Sequence, residues 1–117
     1  MPTLKRLKPG KRMSQAVIRG NAVYLAGQVA EKTAGGSVAA QTAEVLAQID
    51  ALLAEAGTDK TKIMMATIYL ADIATFGEMN SVWDTWVIEG ETPARATVEA
   101  KLVAPDYKVE IAVIATI

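Results

Sequence analysis

The amino-acid sequence predicts an α+β fold in which two helices pack on one face of a mixed β-sheet. Two segments place apolar residues at helical spacing, and short runs rich in β-branched and apolar residues lie before, between and after them. Glycine and proline mark several boundaries between these segments. The chain has 117 residues, and we therefore expect one domain that covers residues 1–117.

Three strands are predicted ahead of the first helix. They cover residues 3–7, 14–18 and 21–29, where apolar and β-branched residues recur. Gly20 and Asn21 separate the second strand from the third, and both residues favour turns. We therefore expect these two strands to form a tight antiparallel hairpin.

The first helix is predicted to lie between Ser37, which suits an N-cap, and Gly57, which suits a C-terminal cap. One face of this helix is apolar. That face consists of Val45, Leu46, Ile49, Leu52, Leu53 and Ala56. The mostly apolar run at 63–71 is predicted to be a buried strand.

The second helix is predicted to begin near Thr75, which forms a capping-box pattern with Glu78. One helical face contains Phe76, Met79, Asn80, Trp83, Trp86 and Val87. The two tryptophans are interpreted as helix-to-sheet packing rather than as a platform for a ligand. Gly90 is predicted to follow this helix as the C′ residue, with a positive φ.

Residues 94–102 alternate between polar and apolar side chains, as expected of a strand with one apolar face. The polar side holds Arg95, Thr97, Glu99 and Lys101. Because the apolar side is expected to pack on the helices, Arg95 and Thr97 are predicted to lie on the opposite face of the sheet.

Residues 108–117 are almost all apolar or β-branched, which is typical of a central strand. Glu110 interrupts this run, and a carboxylate buried without a partner is costly. Arg95 is the candidate partner of Glu110, and an ion pair between Arg95 and Glu99 is a further structural alternative. Gly27 follows a strand and is predicted to occupy a special backbone position, where backbone can approach closely.

The composition excludes several kinds of site. The chain contains no cysteine, so it has no disulfides and no thiolate, and it contains no histidine. The commonest zinc ligands are therefore missing, and we expect no metal and no cofactor. Acid–base chemistry would fall to a carboxylate, a lysine, a tyrosine, a terminus or water.

Charge and hydropathy indicate the location and the partners. The net charge is −1, so we expect no strong attraction to nucleic acid, although the first nineteen residues are basic. That basic segment is interpreted as a charge-protected edge strand and loop, with a phosphate-binding patch as the less favoured alternative. No apolar run reaches membrane length and no signal peptide is evident, so a cytoplasmic location is expected.

Several motifs resemble those of the Rid, or YjgF, family of reactive intermediate deaminases. Residues 93–98 read Pro-Ala-Arg-Ala-Thr-Val and residues 108–111 read Lys-Val-Glu-Ile. Residues 20–28 and 72–80 are similar to the family's glycine–asparagine strand and to its helix entry, which ends in asparagine. The resemblance implies a chorismate-mutase-like architecture and a homotrimer with clefts between subunits.

The resemblance also implies site residues. Arg95 would bind the carboxylate of a small metabolite, and Glu110 would position water or move protons. Asn80, Thr97 and Ser14 would help to bind the substrate. Each has a structural alternative: Arg95 and Glu110 could pair with each other, and Asn80 could bond to backbone at a sheet edge.

The chain departs from the family pattern at three positions. Thr97 stands where many members have cysteine, Met13 where typical deaminases have tyrosine, and Ala26 where they have serine. Three functions are therefore considered. They are hydrolysis of 2-imino acids or enamines to 2-oxo acids and ammonia, binding of a small carboxylate without turnover, and, as the least favoured, RNA cleavage or inhibition of translation.

Overall fold

The computed structural model describes residues 3–117, whose strands form one mixed sheet. The strands are β1 (Lys5–Leu7), β2 (Ala16–Arg19), β3 (Ala22–Leu25), β4 (Gln28–Val29), β5 (Ile63–Leu70), β6 (Ala94–Glu99) and β7 (Val109–Thr116). Their order in the sheet is β1-β2-β3-β7-β5-β6, and β4 pairs with β7 beyond the end of β3. Only β5 and β6 pair in parallel.

The strand β7 occupies the centre of this sheet, as its composition predicts. It pairs with β3, β4 and β5. Alternate residues on β7 are buried on one face: Val109, Ile111, Val113 and Ala115. The face that they define is the face that the two helices cover.

Two helices, α1 (Val38–Glu55) and α2 (Phe76–Trp86), pack on one face of the sheet, as predicted. The hydroxyl of Ser37 accepts a hydrogen bond from the backbone N–H of Ala40 at 3.1 Å, which confirms Ser37 as the N-cap. Ala56 is the cap residue at the C-terminal end of α1, and Gly57 follows it with φ +87°. Gly57 therefore ends the first helix, as predicted.

The β2–β3 hairpin is also confirmed. Arg19 pairs with Ala22 across the two-residue turn, and Gly20 has φ +56°. The predicted strand at 21–29, however, is divided into β3 and β4, with a break at residues 26–27.

The predicted strand at 94–102 is too long. β6 ends at Glu99, and the backbone N–H of Ala100 makes a further bond to the carbonyl of Leu70 at 2.9 Å. Beyond Leu70 the paired strand β5 has ended, so the following residues have no strand to pair with.

The predicted capping box at the start of α2 is wrong. Thr75 makes no side-chain cap, and its hydroxyl donates to the carbonyl of Asp72 at 2.6 Å. Glu78 reaches across to α1 instead, where its Oε2 accepts from the N–H of Ala39 at 2.9 Å. The reason is a short 3-10 helix, Ile73–Thr75, which continues directly into α2 and leaves Thr75 without the extended conformation of an N-cap.

Gly90 has φ +84°, so its predicted positive φ is confirmed. Its predicted position as C′ residue is wrong, because α2 ends at Trp86 with Val87 as the cap residue. Gly90 lies in a turn farther along the chain.

The side of the sheet predicted for Arg95 and Thr97 is also wrong. In the register of β5 and β6, Arg95 pairs with Ala66 and Thr97 with Ile68, and both of these β5 residues are fully buried on the helix face. Arg95 and Thr97 therefore face α2. The alternation of β6 is as predicted, but the helices cover its polar side.

The opposite face of the sheet, which we call the open face, is largely apolar. It contains Tyr24, Met65, Thr67, Tyr69, Ala94, Ala96, Val98, Glu110, Ala112 and Ile114. Tyr24 is 52% exposed and Val98 is 45% exposed. Large apolar side chains on a sheet face are usually covered by another layer of the protein or by a partner. Apolar side chains thus lie on both faces of the sheet, which is why alternation did not identify the covered face.

Two findings concern membranes and metal ions. Within residues 3–117, no helix is both long enough and apolar enough to cross a membrane. In that same part of the chain, no group of three or more histidine, cysteine, aspartate or glutamate residues could hold a metal ion.

We predict that Gly57→Ala destabilises the protein by about 1 kcal/mol, because alanine is strained at positive φ. The matched control is Gly77→Ala in α2, where φ is not positive and an added Cβ would meet nothing within 4 Å. That variant should be neutral or more stable by up to about 1 kcal/mol, since alanine favours helix. Urea unfolding measures both, and equal effects of the two changes would contradict the prediction.

Candidate functional site

The Arg95 side chain lies between the edge strand β6 and the helix α2. Arg95 is half-buried, and its Nη1 donates a hydrogen bond to the Oδ1 of Asn80 at 2.8 Å. The sequence predicted Asn80 to be a hydrogen-bonded amide on the inner side of the helix. The structure makes Arg95 its partner, rather than the backbone of a sheet edge.

Two aromatic rings of α2 also contact the guanidinium. The Cζ of Arg95 lies 5.2 Å from the centre of the Trp83 ring and 5.6 Å from that of the Phe76 ring. Both distances are within the range of cation–π attraction. The helix α2 therefore supplies three groups to one cation.

No carboxylate neutralises Arg95 within the described chain. The ion pair found among residues 3–117 joins Lys8 and Glu55 at 3.9 Å. Glu99, one predicted alternative, instead accepts a hydrogen bond at Oε2 from the backbone N–H of Ile73 at 3.0 Å. The ion pair predicted between Arg95 and Glu110 is also absent.

Glu110 lies on the open face, opposite to Arg95. It pairs with Tyr69 of β5 and with Val29 of β4, while the buried residues of β7 point to the helices. The two charged side chains therefore project from opposite faces of the same sheet.

The Glu110 carboxylate rests against Gly27. A Cβ added at Gly27 would overlap Oε2 of Glu110 and would lie 2.9 Å from its Cδ. The close approach at Gly27 is therefore made by a side chain and not, as predicted, by backbone. The glycine provides space for the carboxylate at the break between β3 and β4.

Thr97 lies two residues beyond Arg95 on the same face of β6. Its Oγ1 is buried and has no hydrogen-bond partner in the described chain. Buried hydroxyl groups are nearly always hydrogen-bonded. An unused donor and acceptor thus lies close to an unneutralised cation.

Ser14 does not join this group. It is half-buried just before β2, and β3, β7 and β5 separate β2 from β6. At the usual strand spacing, β2 and β6 are about 19 Å apart. One copy of the chain therefore brings together Arg95, Asn80 and Thr97, but leaves Ser14 and Glu110 elsewhere.

The contacts of Phe76 and Trp83 with Arg95 were not predicted: Trp83 was interpreted as packing, and Phe76 was only placed on the same helical face. Trp83 is indeed buried, at 5% exposure, but Phe76 is 41% exposed. The spacing of Phe76, Asn80 and Trp83 could have indicated a shared contact, because it places all three on one side of a helix.

Comparisons with known proteins agree with this architecture. A family model described as endoribonuclease L-PSP matches residues 3–117. A RutC family protein of Haemophilus influenzae is 47% identical over 114 residues, which are 97% of this chain and 98% of that relative.

Solved structures give the same result. A YjgF-family protein from Neisseria meningitidis has a TM-score of 0.94 at 46% identity, over 97% of this chain and 94% of the other. The chain belongs to the YjgF/RutC/Rid family. A Rid-family protein from Yersinia pestis is similar at lower identity, with a TM-score of 0.86 and 30% identity over the whole of both chains. The resemblance seen in the sequence motifs of this YjgF/RutC/Rid protein is thus confirmed.

We predict that Gly27→Ala displaces the Glu110 carboxylate from its position. Because the added Cβ would overlap the carboxylate and force Glu110 to change its side-chain conformation, the change should cost about 0.5–1.5 kcal/mol more with Glu110 present than in a Glu110→Ala background. Urea unfolding of the four proteins in this double-mutant cycle measures the difference. Additive effects would show that Gly27 and Glu110 do not interact.

Proposed function

We propose that this protein hydrolyses 2-imino acids, or their enamine tautomers, to 2-oxo acids and ammonia. The observation that supports the proposal best is Arg95: a half-buried guanidinium, held by Asn80 and two rings, with no carboxylate partner among residues 3–117. A guanidinium keeps its proton, so a desolvated one needs an anion. A small carboxylate would satisfy it with two parallel hydrogen bonds.

The chemistry requires little more than positioning. The imine carbon is already electrophilic, so water adds to it, the carbon–nitrogen bond of the adduct breaks, and ammonia leaves as the carbonyl forms. Arg95 would hold the substrate carboxylate, and Glu110 would orient the water and pass its proton to the leaving nitrogen. The unpartnered hydroxyl of Thr97 would bind a second polar atom of the substrate.

Because Arg95 and Glu110 lie on opposite faces of one sheet, we propose that they meet between copies of the chain in a homotrimer. Two features of the described chain support this. β6 pairs with β5 alone and so offers a free strand edge next to Arg95. The open face, which carries Glu110, is largely apolar and partly exposed, as is common where subunits associate. Asn80 and Thr97 would belong to the Arg95 side of the cleft, and Ser14 to another part of it.

Binding without turnover is the second candidate. The same cleft could hold a small carboxylate through Arg95 while lacking the tyrosine, cysteine and serine of typical deaminases. Met13, Thr97 and Ala26 occupy those positions. RNA cleavage, which the description of the matching family model names, ranks third, because this chain has a net charge of −1 and no histidine.

We predict that the protein accelerates ammonia release from iminopropanoate generated from serine by a dehydratase. Replacing Arg95 with lysine keeps the charge but loses the two-pronged geometry, so kcat/KM should fall by the equivalent of about 1–3 kcal/mol. Calorimetry with pyruvate should show a parallel loss of affinity.

The matched control for this experiment is Arg19→Lys, because Arg19 is exposed on β2 and lies away from the site. Pyruvate binding without faster ammonia release would favour the binding protein over the enzyme. Equal activity and affinity of wild type and Arg95→Lys would show that Arg95 is structural. RNA binding that falls steeply with salt would support the third candidate.

We predict a trimer in sedimentation equilibrium at micromolar concentration. Val98→Lys should dissociate it, because the change places a charge on the open face where Val98 is 45% exposed. Val103→Lys makes the same substitution in the loop after β6, where the side chain is 85% exposed, and should leave the trimer intact. A stable monomer of the wild-type protein would refute the proposed cleft.

A further inference from the structure

We propose that the rings of Phe76 and Trp83 are positioning elements of the site, which hold the Arg95 guanidinium in place for a ligand. The inference rests on the proposed function, since it takes the ligand of Arg95 to be a carboxylate. It assigns a role in ligand binding to two aromatic residues that otherwise look like packing.

Two rings on one side of α2 contact the same guanidinium. Phe76 and Trp83 are seven residues apart, which is nearly two full turns, so they share one side of the helix about 10.5 Å apart along its axis. The Cζ of Arg95 lies 5.6 Å from one ring centre and 5.2 Å from the other. One guanidinium therefore lies within cation–π distance of both rings.

Asn80 lies between Phe76 and Trp83 in the sequence of α2, and its side chain contacts the guanidinium at Nη1. Its Oδ1 accepts from Nη1 of Arg95, and this is the hydrogen bond that Arg95 makes within the described chain. A guanidinium has five N–H donors in one plane. Asn80 uses one of these donors, so four remain for a ligand, on Nη1, Nη2 and Nε.

This arrangement prepares Arg95 for binding. A long arginine side chain normally loses conformational freedom when it binds a ligand, and that loss weakens affinity. Here the rings and the amide restrict the guanidinium in advance. The remaining donors suit a planar carboxylate, which can accept two parallel hydrogen bonds from the guanidinium.

A second cation–π contact on the same helix provides the control. Nζ of Lys60 lies 5.3 Å from the ring centre of Trp86, which is half-buried and follows Trp83 by three residues. Trp86→Leu removes a ring that packs on Trp83, with ring centres 5.4 Å apart, but leaves both rings at Arg95 present. It therefore measures the cost of losing a tryptophan from this helix when neither ring at Arg95 is removed.

The experiment measures pyruvate affinity by calorimetry for wild type, Phe76→Leu, Trp83→Phe, Trp83→Leu and Trp86→Leu. Losing either ring at Arg95 should weaken binding by about twofold to thirtyfold, the range that corresponds to one cation–π contact. Trp83→Phe should retain most of the affinity, and Trp86→Leu should bind as wild type does. Phe76→Leu is decisive if Trp83→Leu does not fold, because Phe76 is 41% exposed.

A measurement without ligand separates this inference from the proposed function. The side-chain Nε–H resonance of Arg95, assigned by its loss in Arg95→Lys, should be displaced by the ring currents of Phe76 and Trp83. It should move in Phe76→Leu and stay in place in Trp86→Leu.

The outcomes are distinct. If wild type binds pyruvate through Arg95 but Phe76→Leu and Trp83→Leu bind it equally well, the positioning role is wrong and the proposed site stands. If the resonance behaves as expected but wild type binds no carboxylate, the proposed function fails and the rings only pack against Arg95. Weaker binding in both ring variants, with Trp86→Leu unaffected, supports the inference.

Discussion

Side chains on a β-strand alternate between the two faces of a sheet, and this constraint determines what one copy of the protein can do. β7 lies in the centre and contributes every second residue to the core beneath α1 and α2. Glu110 is one of the intervening residues, so it must lie on the open face. Arg95 is in register with the buried Ala66 and must lie on the helix face. A cation and a carboxylate that could have neutralised each other are thereby kept apart.

This separation has an energetic consequence. An ion pair formed inside one copy of the chain would use the guanidinium and leave little of it for a ligand. The protein instead stabilises Arg95 with an amide oxygen and two ring faces, which attract a cation without carrying a full negative charge. Arg95 therefore remains available to an anion. The unpartnered hydroxyl of Thr97 on the same strand adds a second unsatisfied group.

The substitutions that distinguish this chain from typical deaminases are consistent with a site that acts through positioning. Thr97 has no thiol, and Met13 and Ala26 have no hydroxyl. None of these losses affects the two charged groups that the proposed hydrolysis needs. Glu110 also keeps its space, because Gly27 leaves room for the carboxylate at the break between β3 and β4.

Much of the fold was predictable from the sequence, because the relevant forces act between residues that are near in the chain. The Gly20–Asn21 hairpin, the Ser37 cap, the positive φ of Gly57 and the long apolar run of β7 all follow from local preferences. The family was also evident, since its motifs are short and contiguous. The same short motifs contain the two charged candidate residues, Arg95 and Glu110.

Other features were decided by tertiary structure alone. Alternation separates Arg95 from Val98, but it does not say which side the helices cover, because apolar residues lie on both faces of the sheet. The partner of Glu78 is the N-terminus of α1 rather than its own helix, and that choice depends on how the two helices meet. The contacts of Phe76 and Trp83 with Arg95 arise only when β6 is placed beside α2. In each case the deciding contact joins segments that are distant in the chain, and the local pattern contains no information about their relative placement.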